Sequence, residues 1–219
     1  MNYEVLNVFD FDGTLLNTPA DSHDNRKKFE KATGIPWIIN KDMARTLTKK
    51  LKRPINMRSG WWGRPESLEP PLVPDPTPLE LMLPSTADFI NAKKDKNAYT
   101  ILMTGRHAGI QSSVLRILSD CKLLEVEKTF SEKGKVFYKN IDSIPVYFLG
   151  MNGPLTPDLF EKTKPEKTLP WKCWMIEQHL VLYPSIQKVK IWEDRSEHVE
   201  GFKQFATEYK NISFEVKHV

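Results

Sequence analysis

The residues with the clearest chemical content lie near the start of the chain, at Asp10-Phe11-Asp12-Gly13-Thr14. Carboxylates at i and i+2 on a strand point the same way. Here Gly13 interrupts the strand and lets the backbone swing Asp12 out and over. Asp10 is then a fixed nucleophile or metal ligand, and Asp12 a proton donor on more mobile backbone. Further along, Thr104-Gly105 follows the apolar run Ile101-Leu-Met, and Glu193-Asp194 follows Ile191-Trp. Three strand ends that deliver Asp, Thr and Asp into one crevice make a site for a metal and an oxyanion.

Positioning these groups requires strands of defined order. Residues 5–9, 98–103 and 187–193 are apolar runs of strand length. Residues 135–139 and 145–149 carry β-rich pieces, one of them a third parallel strand, and 212–216 reads as a last strand. Helical periodicity falls at 20–33, 41–52, 85–94, 107–119, 168–182 and 196–209, with Ser85 as the N-cap of its helix. Strands alternating with helices predict an α/β fold, a Rossmann-like parallel sheet flanked by helices. Prolines at 65, 70, 71, 74, 76, 78 and 84 predict an extended wrap in place of regular structure.

Composition sets the outer bounds. The chain has 219 residues, 40% of them hydrophobic and 11% aromatic, which excludes a disordered tail and suits one domain with an insertion over about 20–84. Two cysteines, Cys121 and Cys173, supply no disulfide framework and fit a reducing compartment. The acidic N-terminal stretch is unlike a secretory signal, and no stretch approaches the ~18 apolar residues of a membrane span. A soluble, cytoplasmic protein is the expectation. Nothing visible in the sequence encodes an oligomeric state.

The stretch Val8-Phe-Asp-Phe-Asp-Gly-Thr14 resembles the first motif of the haloacid dehalogenase (HAD) superfamily, whose phosphatases use D-x-D-G-T. Thr104-Gly105, a helical lysine and the Glu193-Asp194 pair follow in that superfamily's order. Finer features resemble the HAD domain of the Swiss-army-knife RNA-repair proteins: Leu16-Asn-Thr-Pro, Gly60-Trp-Trp, Met103-Thr-Gly-Arg106, Thr168-Leu-Pro-Trp-Lys172 and Trp192-Glu-Asp-Arg195 with His198 and Phe202. The resemblance spans residues 5–205.

That resemblance implies a Mg²⁺-dependent phosphatase. A phosphate monoester needs an in-line nucleophile, a cation over the phosphoryl oxygens and an acid for the leaving oxygen. Asp10 would form an aspartyl-phosphate, and Asp12 would serve as acid and then base. The metal would be held by Asp10, the backbone carbonyl of Asp12 and Asp194. Thr104 and Gly105 would bind the phosphoryl group, Gly105 through an amide at a helix N-terminus. Lys172 would hold Asp10 and the phosphate together, with Lys167 a rival lying before the helix. Of the pair at 193–194, strand alternation lets one side chain face the crevice; Asp194 is chosen, leaving Glu193 behind it. Arg106 and Arg195 are candidates for a substrate phosphate, or for structural pairing with Glu193 or Asp24. His107, His179 and His198 read as surface residues.

For the substrate, basic residues dominate 41–64: Lys41, Arg45, Lys49, Lys50, Lys52, Arg53, Arg58 and Arg64 against Asp42. Beside Trp61 and Trp62 they suit an RNA or DNA end; a solvated helix face with tryptophans anchoring the wrap is the alternative. The substrate class is therefore a phosphomonoester, with a nucleic-acid end or nucleotide favoured. A sugar or metabolite phosphatase, a phosphomutase and a non-catalytic nucleic-acid-binding module remain as alternatives. Dehalogenases lack the second aspartate, and P-type pumps carry lysine there and need membrane helices.

Overall fold

In the computed structural model, residues 2–34, 36–37, 41–52, 60–131, 136–156 and 159–219 are described. The apolar run at the N-terminus forms β1 (Val5–Phe9) at the centre of a five-stranded sheet. Its neighbours are β2 (Ala98–His107) and β6 (Lys188–Glu193), with β5 (Val146–Leu149) and β7 (Ser213–His218) at the edges. All four pairings are parallel, in the order β5-β2-β1-β6-β7. The chain builds outward from β1 on one side and then returns to the other. The carboxyl ends of β1, β2 and β6 therefore flank the point where strand order reverses, the place where such sheets bind ligands.

Side-chain alternation explains why both faces are covered. Leu6 and Val8 face one way, with Ile101, Met103, Val189 and Ile191, onto α5 (Thr168–Leu182) and α6 (Ser196–Ala206) through Trp171, Met175 and Phe202. Phe9 faces the other way, with Leu102, Phe148 and Trp192, onto α3 (Ser85–Lys94) and α4 (Gln111–Asp120) through Phe89, Val114 and Leu118. Phe9 and Trp192 stack with centroids 4.0 Å apart across neighbouring strands. Asn7, a polar break in the first apolar run, is absorbed by a hydrogen bond from its amide to Thr100 Oγ1.

Several elements differ from the sequence expectation. Ser85 is the first residue of α3, with Pro84 at the cap, and its hydroxyl donates to the Thr14 carbonyl instead of capping its own helix. β2 continues past Met103 to His107, so Gly105 lies at a strand end and not at a helix N-terminus; a short 3₁₀ turn (Ala108–Ile110) precedes α4. The β-rich piece at 135–139 belongs to an antiparallel hairpin of β3 (Val126–Phe130) and β4 (Val136–Asn140), outside the main sheet; Lys135 lies outside the described residues.

Between β1 and α3 runs a segment whose two ends close on each other. Asn17 N donates to Leu81 O at 2.8 Å and Leu83 N to Leu15 O at 2.9 Å, forming a neck. Beyond the neck lie α1 (His23–Thr33), α2 (Lys41–Leu51) and 3₁₀ turns at Trp61–Gly63, Pro65–Leu68 and Leu79–Leu81. Phe29, Trp37, Trp61 and Leu72 form its own small core, and Trp61 Nε1 donates to Pro19 O at 2.7 Å. The proline-rich stretch is stapled to α4 by buried Arg116, which donates to Leu68 O (2.8 Å), Pro74 O, Thr77 Oγ1 and Asp120 Oδ2 (each 3.1 Å).

Replacing Arg116 by alanine leaves the Leu68 and Pro74 carbonyls without their donor and removes the counter-charge from Asp120, which keeps its bonds from Thr77. The expected cost is about 2–4 kcal/mol of stability. Urea denaturation of Arg116→Ala measures it; a loss below ~0.5 kcal/mol shows that the wrap is held elsewhere.

Candidate active site

The site forms where β1, β2 and β6 end. Asp10 follows β1 directly, its amide donating to the Trp192 carbonyl of β6 at 3.1 Å. Lys172, on the first turns of α5, is 2% exposed and reaches across to this point. Its Nζ lies 3.0 Å from Asp10 Oδ1, an ionic contact, and donates to Glu193 Oε2 at 2.7 Å. Glu193 also faces buried His198, whose Nδ1 is 3.2 Å from Oε1.

Strand alternation does not separate Glu193 from Asp194. β6 ends at Glu193, so Asp194 sits on bent backbone, and carboxylate oxygens of Asp10, Glu193 and Asp194 all come within 4.8 Å of one another. Gly13 makes the approach possible: a Cβ there would stand 2.2 Å from Asp194 Oδ2, and its φ of +68° suits glycine. Sequence reading attributed Gly13 to freedom for Asp12; the close packing of Asp194 is a second reason that no local pattern signals.

The electrostatics follow from crowding carboxylates out of water. Burial raises the Asp10 carboxyl, against the pull of Lys172 and with help from the charges of Glu193 and Asp12, to about 8. Burial and the neighbouring Glu193 charge push Asp194 up to about 6. Burial also acts on Glu193, but Lys172 and His198 overcome it and hold that carboxyl down at about 2. Lys172 is kept charged above its usual value, the two carboxylates outweighing its burial. One lysine thus serves two acids while Asp194 Oδ1 is buried without a hydrogen-bond partner. An orphaned carboxylate oxygen beside two more carboxylates is a donor set suited to a hard divalent cation, so Asp10 and Asp194 fit the expected Mg²⁺.

Asp12 is held more firmly than its sequence context implies. Arg106 Nε donates to both its oxygens at 2.9 Å and Nη2 to Oδ1 at 2.7 Å, while Thr18 Oγ1 donates to Oδ1 at 2.5 Å. Arg106 is fully buried, and its Nη1 donates to Ser67 Oγ at 2.8 Å. Its partner is therefore Asp12, neither Glu193 nor Asp24. Thr104 is buried beside them: its hydroxyl accepts from Arg106 N at 3.1 Å and approaches Asp12 Oδ2 at 3.5 Å. Lys167 caps α5 at its start, outside this group.

A cavity of about 50 Å³ is lined by buried Asp10, Asp12, Lys172 and His198 and by the partly exposed Gly105, Thr168, Trp62 and Arg195. The histidines diverge. His107 is exposed, as expected for a surface residue. His198 is buried at the cavity, and His179 is fully buried in α5. His179 Nδ1 donates to Met175 O, its Nε2 lies 3.2 Å from the Tyr147 hydroxyl, and burial lowers it to about 4. The surface reading of His179 and His198 is thus corrected; the one cue for His198 was its place just after Trp192-Glu-Asp-Arg195, among the residues that carry the family resemblance. Trp61 packs in the small core, whereas Trp62 turns toward the cavity. In the basic block Arg45, Lys49, Lys50 and Lys52 are exposed, but Arg64 is buried, its guanidinium 4.1 Å from the Trp37 ring centre. Arg53 and Arg58 lie outside the described residues.

Parallel sheet, reversal point and acidic cluster define a HAD-type hydrolase of the phosphatase class. The chain belongs to HAD domain family 1 of Swiss Army Knife RNA repair proteins, whose family model matches residues 38–219. The matched span contains Thr104, Lys172 and Asp194 and begins after Asp10 and Asp12. No curated protein matches the chain. Similar solved structures include an effector of Legionella pneumophila (12% identity, TM-score 0.45, covering 100% of this chain and 87% of that one). A protein described as a beta-phosphoglucomutase from Thermotoga maritima gives 18% identity and a TM-score of 0.44 over 99% and 86% of the two chains. A haloacid dehalogenase-like hydrolase from Burkholderia xenovorans gives 13% and 0.42 over 97% and 81%.

The raised carboxyls make stability depend on pH and metal together. Asp10 and Asp194 move up from an ordinary 3.8 to about 8 and about 6, so without metal their contribution is present below pH ~4 and fades up to pH ~8. The opposite shift of Glu193 is fully expressed above its ordinary 4.5 and does not offset this loss. Mg²⁺ prefers the deprotonated pair, so at a hundredfold excess over Kd it adds about 2.7 kcal/mol, or about 5–10 °C in Tm. Thermal melts with EDTA or Mg²⁺ are expected to show a larger metal shift at pH 8 than at pH 5. Equal shifts at both pH values contradict the linkage.

Proposed function

We propose that the protein is a Mg²⁺-dependent phosphohydrolase that acts through an aspartyl-phosphate on Asp10 and removes the terminal phosphate of a nucleic acid or nucleotide. The observation that carries this reading is the triangle at the strand ends: Asp10 beside buried Lys172, with Asp194 Oδ1 orphaned next to them.

In this reading Asp10 attacks phosphorus in line with the ester oxygen. The new Asp–O–P bond forms as the P–O bond to the leaving group breaks, and the leaving oxygen takes a proton. Water then attacks the same phosphorus, losing a proton, and the Asp–O–P bond breaks to return the carboxylate. The sum is phosphomonoester plus water to alcohol plus inorganic phosphate. Lys172 holds the Asp10 oxygen against the repulsion of an incoming dianion. Mg²⁺ held by Asp10, Asp194 and the Asp12 carbonyl would supply charge neutralisation on the phosphoryl oxygens.

Asp12 is the acid and base of this scheme, and Arg106 is its keeper. Both Asp12 oxygens are occupied by Arg106, so Asp12 exchanges one of those bonds for the leaving oxygen when substrate arrives. Gly105 offers its amide to the phosphoryl group at the cavity wall, and Arg195 stands at the opening for a second phosphate. Residues 20–84 are the cap-like insertion within a single domain, and Trp62 is where that insertion meets the cavity. Exposed Arg45, Lys49, Lys50 and Lys52 on and after α2 support a polyanionic partner.

Hydrolysis of p-nitrophenyl phosphate with and without EDTA tests the chemistry. Asp10→Asn is expected to lower kcat by at least ~10³-fold, the scale of losing a covalent nucleophile, and EDTA to do the same reversibly. A metal-independent rate, or an Asn variant as fast as wild type, removes the mechanism. The substrate class has a separate test. Replacing Lys49, Lys50 and Lys52 by alanine is expected to weaken oligonucleotide binding and flatten the dependence of log Kd on log salt by about 0.7 per lost contact. Unchanged binding and slope remove the basic helix from the interface.

A further inference from the structure

The cavity above Asp10 is small, and what closes it bears on what can be hydrolysed. The cavity measures about 50 Å³ and lies directly against the carboxylates of Asp10 and Asp12. The groups below it are buried and already engaged: Asp10 with Lys172, Asp12 with Arg106. Toward solvent stand the partly exposed Trp62, Arg195 and Thr168. With Gly105 these are the lining residues that reach solvent, so a leaving group attached to a phosphorus at Asp10 meets this set.

The chemistry of that opening is selective. Trp62 is fixed from below by Arg106, whose guanidinium carbon is 5.0 Å from the indole centre. Arg106 in turn is fixed by Asp12 and by Ser67, which follows Trp62 in the same wrap. The Arg195 guanidinium lies over the same ring, 5.4 Å from the indole centre, and its charge acts on the adjacent Asp194 without a salt bridge between them. An indole beside a guanidinium that no salt bridge among the described residues holds offers a flat apolar surface and an anion-binding fork. A polyhydroxylated leaving group finds few acceptors for its hydroxyl protons there: Trp62 and Arg195 only donate, and Thr168 supplies one hydroxyl.

We propose that Trp62 determines specificity by receiving the nucleobase of the nucleoside that carries the scissile phosphate, with Arg195 pairing the adjoining phosphodiester. The proposal rests on the phosphohydrolase reading above and narrows its substrate to a nucleic-acid end. Base stacking on one aromatic side chain commonly accounts for about ten- to hundredfold in affinity.

The test compares kcat/KM for an end-phosphorylated oligonucleotide, in 3′- and 5′-phosphate forms, with that for β-glycerophosphate, and takes their ratio. Trp62→Leu keeps apolar bulk and removes the π face; Trp62→Phe keeps both. The ratio for the preferred oligonucleotide is expected to fall at least tenfold in Trp62→Leu, mostly through KM, and to stay within about threefold in Trp62→Phe. Urea denaturation of both variants reports folding. An unchanged ratio in a folded Trp62→Leu variant overturns the proposal, as does an equal loss in both variants, which marks Trp62 as packing only. Failure of the wild type to hydrolyse either substrate strikes the phosphohydrolase reading instead. Anisotropy binding of the phosphorylated oligonucleotide then decides the matter: equal Kd for wild type and Trp62→Leu overturns the stacking role, and a tenfold weaker variant supports it.

Discussion

Everything at the strand ends depends on crowding buried carboxylates around a single lysine. Glu193 takes the better share of Lys172 and adds His198, and so stays firmly ionised. Asp10 receives the remainder of the same ammonium and meets the charges of Glu193 and Asp12 in a desolvated pocket. Asp194 brings another carboxylate and an oxygen that no hydrogen bond satisfies. Such an arrangement is costly in an empty low-dielectric pocket, because attraction to one cation cannot compensate several desolvated anions. A bound divalent cation would remove the deficit, and the orphaned Asp194 oxygen beside Asp10 is where it would be held.

The fold concentrates the problem at one place. β1 sits at the centre of the sheet and its neighbours β2 and β6 are reached by connections running in opposite directions, so their ends open onto a shared crevice. Lys172 arrives from the start of α5, whose Trp171 and Met175 lock that helix to the sheet. The segment that leaves β1 returns through its neck and is then tied to the site by a continuous polar path, Ser67 to Arg106 to Asp12. Trp62 packs over the same arginine. The segment between β1 and α3 therefore meets Asp12 and the cavity lining through one buried guanidinium, while Arg116 fastens its far side to α4.

Much of the architecture was legible because it rests on local patterns. Apolar runs ending in Asp10, Thr104 and Glu193 mark buried parallel strands; the helix expected over 168–182 is found there, and that expected over 196–209 ends at Ala206. What escaped involves contacts between distant segments. The extension of β2 through Gly105 to His107 depends on pairing with β5, and no window of sequence contains that partner. Arg106 resembled a substrate ligand because its motif ends in a free-looking arginine; its bond to Asp12 spans 94 positions. The basic stretch read as one surface because charge alone hides burial, yet Arg64 lies under Trp37. His198 looked generic because its partner, Glu193, was itself assigned to face away from the crevice.

The most direct measurement is calorimetric titration of Mg²⁺ into the protein at pH 7 and pH 9, in buffers of different ionisation enthalpy. Carboxyls lifted by burial release protons when a cation takes their place. With Asp10 near 8 and Asp194 near 6, the expected result is one site that releases close to one proton at pH 7 and almost none at pH 9, abolished in Asp194→Ala. Binding with no proton release at pH 7, or undiminished binding in Asp194→Ala, would contradict a cation held by these two carboxylates.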